Sequence, residues 1–106
     1  MSAAEEISAL VAGESATSFG SNRVLQLAIE RPLAVVGEAL ARAIQSDSSL
    51  KRAFPDAPLI VSTRNRIVHD YDDIRIDIIW DITQSHIPIL CGQLRTVLDE
   101  AGPPLP

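Results

Sequence analysis

The sequence predicts an all-α protein that folds as an up-and-down bundle of about four helices. Two observations favour this class. Apolar residues recur every three or four positions, which is the period of an amphipathic helix and not of a strand. The chain has 106 residues, of which 46% are hydrophobic, and this is enough for a single apolar core. Because short connections place such helices antiparallel to their neighbours, we interpret residues 1–106 as one domain.

The first predicted helix is short. Ser2 and Glu5 have the spacing of a capping box, and Gly13 is typical of a helix end. Between them lies an apolar face that consists of Ile7, Leu10 and Val11. Residues 13–21 (GESATSFGS) are rich in glycine and serine and predict a loop.

The second predicted helix is long and runs from a cap at Asn22 to about Gln45. Its apolar stripe has helical spacing and comprises Leu25, Ile29, Leu33, Val36, Leu40 and Ile44. Pro32 lacks an N–H and its ring crowds the preceding turn, so it predicts a kink within one bent helix. Gly37, beside Glu38, predicts a point where two helices approach closely.

A third helix is predicted from about Leu59 to His69, after a polar connection at residues 46–58. Within that connection, residues 50–54 predict a single helical turn. Asp56 is the predicted N-cap of the third helix. The apolar pattern predicts that this segment buries Ile60, Ile67 and Tyr71.

The last helix is predicted from about Asp77 to Glu100, after a turn at residues 70–73. Its apolar residues are separated by multiples of four and comprise Ile78, Ile82, Leu90, Leu94 and Leu98. Pro88 predicts a second kink. Residues 101–106 (AGPPLP) end the helix and predict a flexible tail.

Charge and cysteine content exclude several classes of protein. The formal net charge of −5 disfavours indiscriminate binding to nucleic acid, so any RNA site has to be local. Cys91 is the single cysteine, which excludes an intrachain disulfide and favours a reducing compartment. The amino-terminal residues lack a signal-peptide pattern, and no apolar run approaches the roughly 20 residues of a membrane span. We therefore expect a cytoplasmic protein without a membrane partner.

Chemically useful side chains are concentrated in residues 64–71 (RNRIVHDY). Arg64 supplies a fixed cation, Asn65 an amide, His69 an imidazole that exchanges protons near neutral pH, and Tyr71 a phenol. Cleavage of a phosphodiester needs a cation that stabilises the charge on the phosphate oxygens and a group that carries a proton. Arginine suits the first task because its planar guanidinium binds two phosphate oxygens at once. This segment therefore supplies the two groups that phosphodiester chemistry needs, although on the residues alone a structural role is the favoured interpretation.

The sequence predicts neither a metal site nor a cofactor. Four carboxylates lie close together in the sequence, at Asp70, Asp72, Asp73 and Asp77. They lack the spacing and the glycine of a calcium-binding loop, so capping of a helix is the favoured interpretation.

Helix geometry limits what one chain can do with Arg64 and His69. Five residues of helix place the two side chains about 140° apart around the axis, so they do not share a face. A two-fold dimer, the commonest oligomer, gathers two copies of each group into one cleft. Two structural interpretations stay open. In one, Arg64 pairs with a carboxylate while His69 is partly buried; in the other, the two residues only hold a dimer together.

Several segments form a recognisable combination, namely Arg64-Asn65-x3-His69-x-Tyr71, Trp80, the IPIL of residues 87–90, Glu30-Arg31 and the VVGEA of residues 35–39. Together they resemble the HepT-like branch of the HEPN superfamily. The resemblance extends over residues 22–98.

This resemblance implies a helical toxin of a toxin–antitoxin pair that acts as a metal-independent endoribonuclease at a dimer cleft. Carried onto this sequence, Arg64 binds the scissile phosphate of an RNA, for which tRNA is one candidate, and His69 serves as general acid or base. Asn65 orients the phosphate or His69, and Arg66 contributes to RNA binding. The implied partner is a minimal nucleotidyltransferase antitoxin, which silences the toxin by adding AMP to Tyr71.

A second hypothesis is a catalytically inactive helical module that binds a nucleotide or docks with a nucleotidyltransferase. Replacement of His69 by alanine distinguishes the two, because only the enzyme loses RNA cleavage. With a net charge of −5, the dimer's copies of Arg64 and Arg66 have to form the basic zone. We therefore expect weak RNA binding with a steep dependence on salt.

Overall fold

The computed structural model describes the backbone of residues 2–69 and 75–101 and the side chains of residues 2–67 and 75–96. Within these ranges the chain is all-α, as the sequence predicts, and contains no strand. The helices are α1 (Ala3–Val11), α2 (Ala16–Gly20), α3 (Arg23–Ser46), α4 (Leu50–Ala53), α5 (Ala57–His69), α6 (Ile76–Asp81) and α7 (Ile87–Ala101), with a π-helical segment (Ile82–His86) between the last two.

Helix α1 has the predicted extent and the predicted cap, but Leu10 of its predicted apolar face is exposed. The Ser2 hydroxyl accepts a hydrogen bond from the backbone N–H of Glu5 at 3.2 Å, which satisfies one of the free donors of the first turn. The helix ends before Gly13, whose φ of 78° lies in the left-handed region that glycine adopts without strain. Ile7 and Val11 are buried on the inner face of this short helix.

The predicted loop at residues 13–21 is wrong, because residues 16–20 form α2. Ser15 and Ser18 cap this helix by exchanging hydrogen bonds between their side chains and backbones. Phe19 is fully buried, and its ring centroid lies 5.2 Å from that of Trp80. The buried Gln26 amide of α3 donates to the carbonyl oxygen of Phe19 at 2.9 Å. Tertiary contacts therefore hold a segment whose composition favours a loop.

Helix α3 is the central element of the fold. The side-chain Oδ1 of Asn22 accepts a hydrogen bond from the backbone N–H of Leu25 at 3.0 Å, as the predicted cap requires, and the helix continues as one element through Pro32. The contact between α3 and α5 is more extensive than that between any other two described helices, and α3 also packs against α1. Five members of its predicted stripe are buried, namely Leu25, Ile29, Leu33, Val36 and Leu40, while Ile44 is half-buried.

Helix α5 begins at Ala57, two residues before the predicted start, directly after Asp56. Ile60 and Ile67 are buried, as predicted. The carboxylate of Asp56 contacts Nδ1 of His86 at 2.9 Å, which ties the start of α5 to the π-helical segment. The predicted turn at residues 70–73 and the buried position predicted for Tyr71 lie outside the described residues.

The last predicted helix is present, but its middle is wider than an α-helix. Helix α6, the π-helical segment and α7 follow one another without a break. The N–H of Ile87 donates to the carbonyl oxygen of Ile82, five residues earlier. The next residue, Pro88, has no N–H, and its ring would crowd the carbonyl of an α-helical turn before it. The π-helical turns precede this proline and accommodate it. Of the predicted tail, Ala101 is helical, and residues 102–106 lie outside the described residues.

One apolar core connects these elements. Its most deeply buried side chains come from α1, α2, α3, α5, α6, the π-helical segment and α7, and comprise Ile7, Phe19, Ile29, Leu33, Ile60, Ile79, Ile82 and Ile87. Burial of each such side chain contributes about 1.5–3 kcal/mol relative to exposure, before the loss of conformational entropy. This core fixes α3 against α5, and the candidate site lies between those two helices.

Candidate active site

Arg64 lies where α5 comes closest to α3. A Cβ atom built on Gly37 would lie 2.5 Å from Cβ and 2.9 Å from Cγ of Arg64, and 3.3 Å from the carbonyl oxygen of Ile60. Carbon atoms in contact normally lie about 3.5–4.0 Å apart. Only glycine therefore permits this approach, which confirms the contact predicted at Gly37. The stem of Arg64 is held against the backbone of α3, and the residue is half-buried.

The head of Arg64 is held by its neighbour in the sequence. Its Nη1 atom donates a hydrogen bond to Oδ1 of Asn65 at 2.7 Å. The guanidinium has five N–H donors in one plane, so this bond leaves other donors available to an anion. Asn65 is exposed. Gly37 and Asn65 thus position the two ends of one arginine side chain.

Arg64 lines a polar groove between α3 and α5. The groove has a volume of about 410 Å³, and its charged side chains are Arg31, Glu38, Arg42 and Arg64. Arg42 donates to Glu38 at 2.7 Å, one helical turn apart. Three positive charges and one negative charge therefore meet on the surface of a chain whose formal net charge is −5. Sequence reasoning missed Arg31 and Arg42 as members of this site.

Arg66 lies in a different cleft of the same chain. It lines a space of about 170 Å³ together with Ser62, Thr63 and Arg75. Two residues of helix place side chains about 160° apart around the axis, which separates Arg64 from Arg66. Within one chain, Arg64 therefore shares a groove with residues of α3 and not with Arg66. The expectation that the copies of these two arginines in a dimer form the basic zone stays a prediction.

Arg75 engages the first carboxylate of the last helix. Its Nη2 atom lies 2.7 Å from Oδ2 of Asp77. The hydrogen bond from Arg75 holds the pKa of the Asp77 carboxyl below its usual range. Of the four carboxylates considered as a metal site, Asp77 is the one within the described residues, and it is paired in this way. Among the side chains that the structure describes, no three potential ligands converge on a metal-binding position.

His69 is the last residue of α5, and Tyr71 follows it by two positions. The helix is continuous from Arg64 to His69, so the separation of about 140° between these positions applies to the folded chain. Tyr71 lies outside the described residues. The roles of His69 and Tyr71 remain predictions from the sequence.

Comparison with known proteins now identifies the family. The family model described as "Ribonuclease HepT-like" matches residues 1–97, which include every helix of the bundle through most of α7. The chain belongs to the HepT-like family. The resemblance deduced from residues 22–98 is thereby confirmed.

A relative of this HepT-like chain is known in an archaeon. Methanocaldococcus jannaschii has a protein named "Putative RNase MJ1380", which is 30% identical over 81 residues, covering 74% of this chain and 72% of that protein. No solved structure gives a significant match. The family and this relative support RNA cleavage as the activity of the family.

No helix within the described ranges combines the length and the apolar character that crossing a bilayer requires.

Proposed function

We propose that this HepT-like chain is the toxin of a toxin–antitoxin pair and acts as a metal-independent endoribonuclease. The observation that carries the proposal is the placement of Arg64. Its stem packs against Gly37, its head is bound by Asn65, and it faces a cationic groove. Stabilisation of a charged transition state requires a cation that is already fixed in position before the reaction begins.

The reaction begins with attack by the ribose 2′-hydroxyl on the adjacent phosphate. A base takes the proton of that hydroxyl, the bond from O2′ to phosphorus forms, and the bond from phosphorus to O5′ breaks. An acid returns a proton to O5′, which leaves a 2′,3′-cyclic phosphate and a 5′-hydroxyl. Arg64 neutralises the charge that develops on the phosphate oxygens, and His69 transfers the proton. Asn65 keeps the guanidinium of Arg64 in position.

A two-fold dimer completes this site. Within one chain Arg64 and His69 lie about 140° apart around α5. Two copies of α5 facing one another bring an Arg64 and a His69 from different chains to the same phosphate, and they supply two imidazoles, one as base and one as acid. The proposal therefore includes a homodimer as the active species.

Control by an antitoxin is proposed to act at Tyr71. A minimal nucleotidyltransferase would direct the tyrosine oxygen to the α-phosphate of ATP, so that AMP is joined to the tyrosine and pyrophosphate leaves. The added group carries negative charge and bulk two residues from His69. Both features oppose the entry of an RNA phosphate.

A substrate lacking the 2′-hydroxyl tests the reaction. The chain is incubated with an RNA and with the same RNA carrying a single 2′-O-methyl group at the mapped cleavage position. The proposal predicts that the methyl group abolishes cleavage at that position only, and that the parent RNA yields a 2′,3′-cyclic phosphate. A 5′-phosphate product, or cleavage of the methylated position, would show a different reaction.

Co-expression with the nucleotidyltransferase tests the control. The proposal predicts that intact mass rises by one or more AMP groups in the parent chain, that Tyr71→Phe keeps its original mass, and that modified chain no longer cleaves RNA. Modification of Tyr71→Phe to the same extent as the parent would place the AMP on another residue.

A further inference from the structure

The groove around Arg64 extends in both directions along α3. Arg31 and Arg42 are separated by eleven positions, which is about 16 Å along a helix axis and about 20° around it. Glu38 lies on the same line, seven positions after Arg31. All three line the groove together with Arg64. A straight row of charged side chains therefore runs along one face of α3.

Arg64 lies between the two arginines of this row. Its Cβ and Cγ approach α3 at Gly37, six positions after Arg31 and five before Arg42. Along the axis these steps are about 9 Å and about 7.5 Å. Measured along the axis of α3, the stem of Arg64 therefore has an arginine of the groove on each side of it.

We infer that Arg31 and Arg42 bind the phosphates that flank the scissile one in a single RNA strand. The inference rests on the proposed function, because it takes Arg64 as the position of the scissile phosphate. A single strand suits the site because its backbone presents phosphates in a row, and a straight groove follows such a row. The bidentate guanidinium is the side chain best matched to phosphate oxygens.

Glu38 makes phosphate binding at Arg42 weaker than at Arg31. Its carboxylate accepts a hydrogen bond from Nη2 of Arg42 at 2.7 Å, and the two side chains are 46% and 78% exposed. An exposed pair of this kind is weak, so a phosphate can take the place of the carboxylate. The negative charge of Glu38 still opposes an RNA phosphate nearby. Arg31 has no such carboxylate one turn away in the groove, so it is the stronger of the two positions.

RNA binding measured without cleavage tests the inference. Every variant is made in a His69→Ala chain, and the probe is a fluorescent single-stranded oligouridylate. Binding is measured by fluorescence anisotropy over a series of salt concentrations. Arg23→Gln is the matched control, because Arg23 is an exposed arginine of the same helix outside the groove.

Three results are expected. Arg31→Gln weakens binding about three- to tenfold and lowers the slope of log K against log salt by about 0.7, the value for one phosphate contact on a single strand. Arg42→Gln also weakens binding and lowers the salt slope, but by less than Arg31→Gln does. Glu38→Gln strengthens binding, because it frees Arg42 and removes a negative charge.

Other results overturn the inference. Equal affinities and salt slopes for Arg31→Gln, Arg42→Gln and Arg23→Gln would show that the groove does not hold RNA. If the His69→Ala chain bound neither oligouridylate nor tRNA, this would also show that the groove does not hold RNA. Because cleavage is not measured here, the outcome is separate from that of the proposed reaction. Flanking contacts can be present in a chain that never cleaves RNA.

Discussion

Replacement of Gly37 by alanine tests whether the contact between α3 and α5 positions the proposed catalytic arginine. The new methyl carbon would lie 2.5 Å from Cβ of Arg64, more than 1 Å inside an ordinary carbon–carbon contact. Cβ is fixed to the backbone and cannot rotate away. The strain is therefore relieved by moving α5 away from α3 beside Arg64.

The cost to stability is limited, whereas the cost to cleavage is large. Overpacking costs about 1–3 kcal/mol, and the better helix propensity of alanine over glycine offsets about 1 kcal/mol. The free energy of unfolding should therefore fall by about 0–2 kcal/mol. A displacement of about 1 Å at a catalytic group costs on the order of a hundredfold in rate. We expect kcat/KM for RNA cleavage to fall by that factor in a chain that remains folded.

Gly92→Ala is the matched control. Apart from its chain neighbours and the backbone of its own helix, a Cβ atom on Gly92, in α7, would meet none of the described atoms within 4 Å. This variant should gain about 1 kcal/mol in the free energy of unfolding and cleave RNA like the parent. Urea unfolding and initial cleavage rates are measured for both variants. Full cleavage activity in Gly37→Ala would show that the contact between α3 and α5 does not position Arg64.

Three further variants probe the site and the fold. Asn65→Ala removes the hydrogen bond to Arg64, so the cleavage rate should fall about tenfold while stability changes by less than about 0.5 kcal/mol; equal rates for variant and parent would show that this bond does not position the guanidinium. Phe19→Ala should lower the free energy of unfolding in urea by about 3–5 kcal/mol, because the side chain is fully buried, and a change below 1 kcal/mol would contradict its place in the core. The pKa of Asp77 is lowered by Arg75, so its contribution to stability is present above the usual carboxyl range and is lost as the pH falls through that pKa. Arg75→Gln should raise the pKa of Asp77 in an NMR titration, and an unchanged value would contradict the pairing.

The apolar pattern predicted the main helices because burial dominates their placement. The stripe of α3 needs no other information, since its residues recur at helical spacing and nearly all of them are buried. The close approach at Gly37 was also predictable, because a glycine inside a helix costs stability and suggests a packing reason. The sequence did not allow us to predict that the turns before Pro88 are π-helical. The sequence indicates a disturbance there but not its geometry.

The short helix α2 and the groove depend on contacts between distant residues. Residues 16–20 have a loop composition, and their helix depends on a buried amide of Gln26, which a local pattern does not reveal. Arg31 and Arg42 have the spacing of an ordinary solvated helix face. Only the packing of α5 on α3 brings Arg64 between them. Membership of the HepT-like family was predictable because several segments agree with the family at once.

Cleavage of RNA by protein made without its partner tests whether Arg64 and His69 carry out metal-independent cleavage. The chain, shown by intact mass to be unmodified, is incubated with tRNA in EDTA beside Arg64→Ala and His69→Ala. Circular dichroism and size-exclusion chromatography establish that all three are folded and in the same oligomeric state. We expect cleavage by the parent and none by either variant. Equal cleavage by His69→Ala, or a folded dimeric parent that cleaves no RNA, would contradict it.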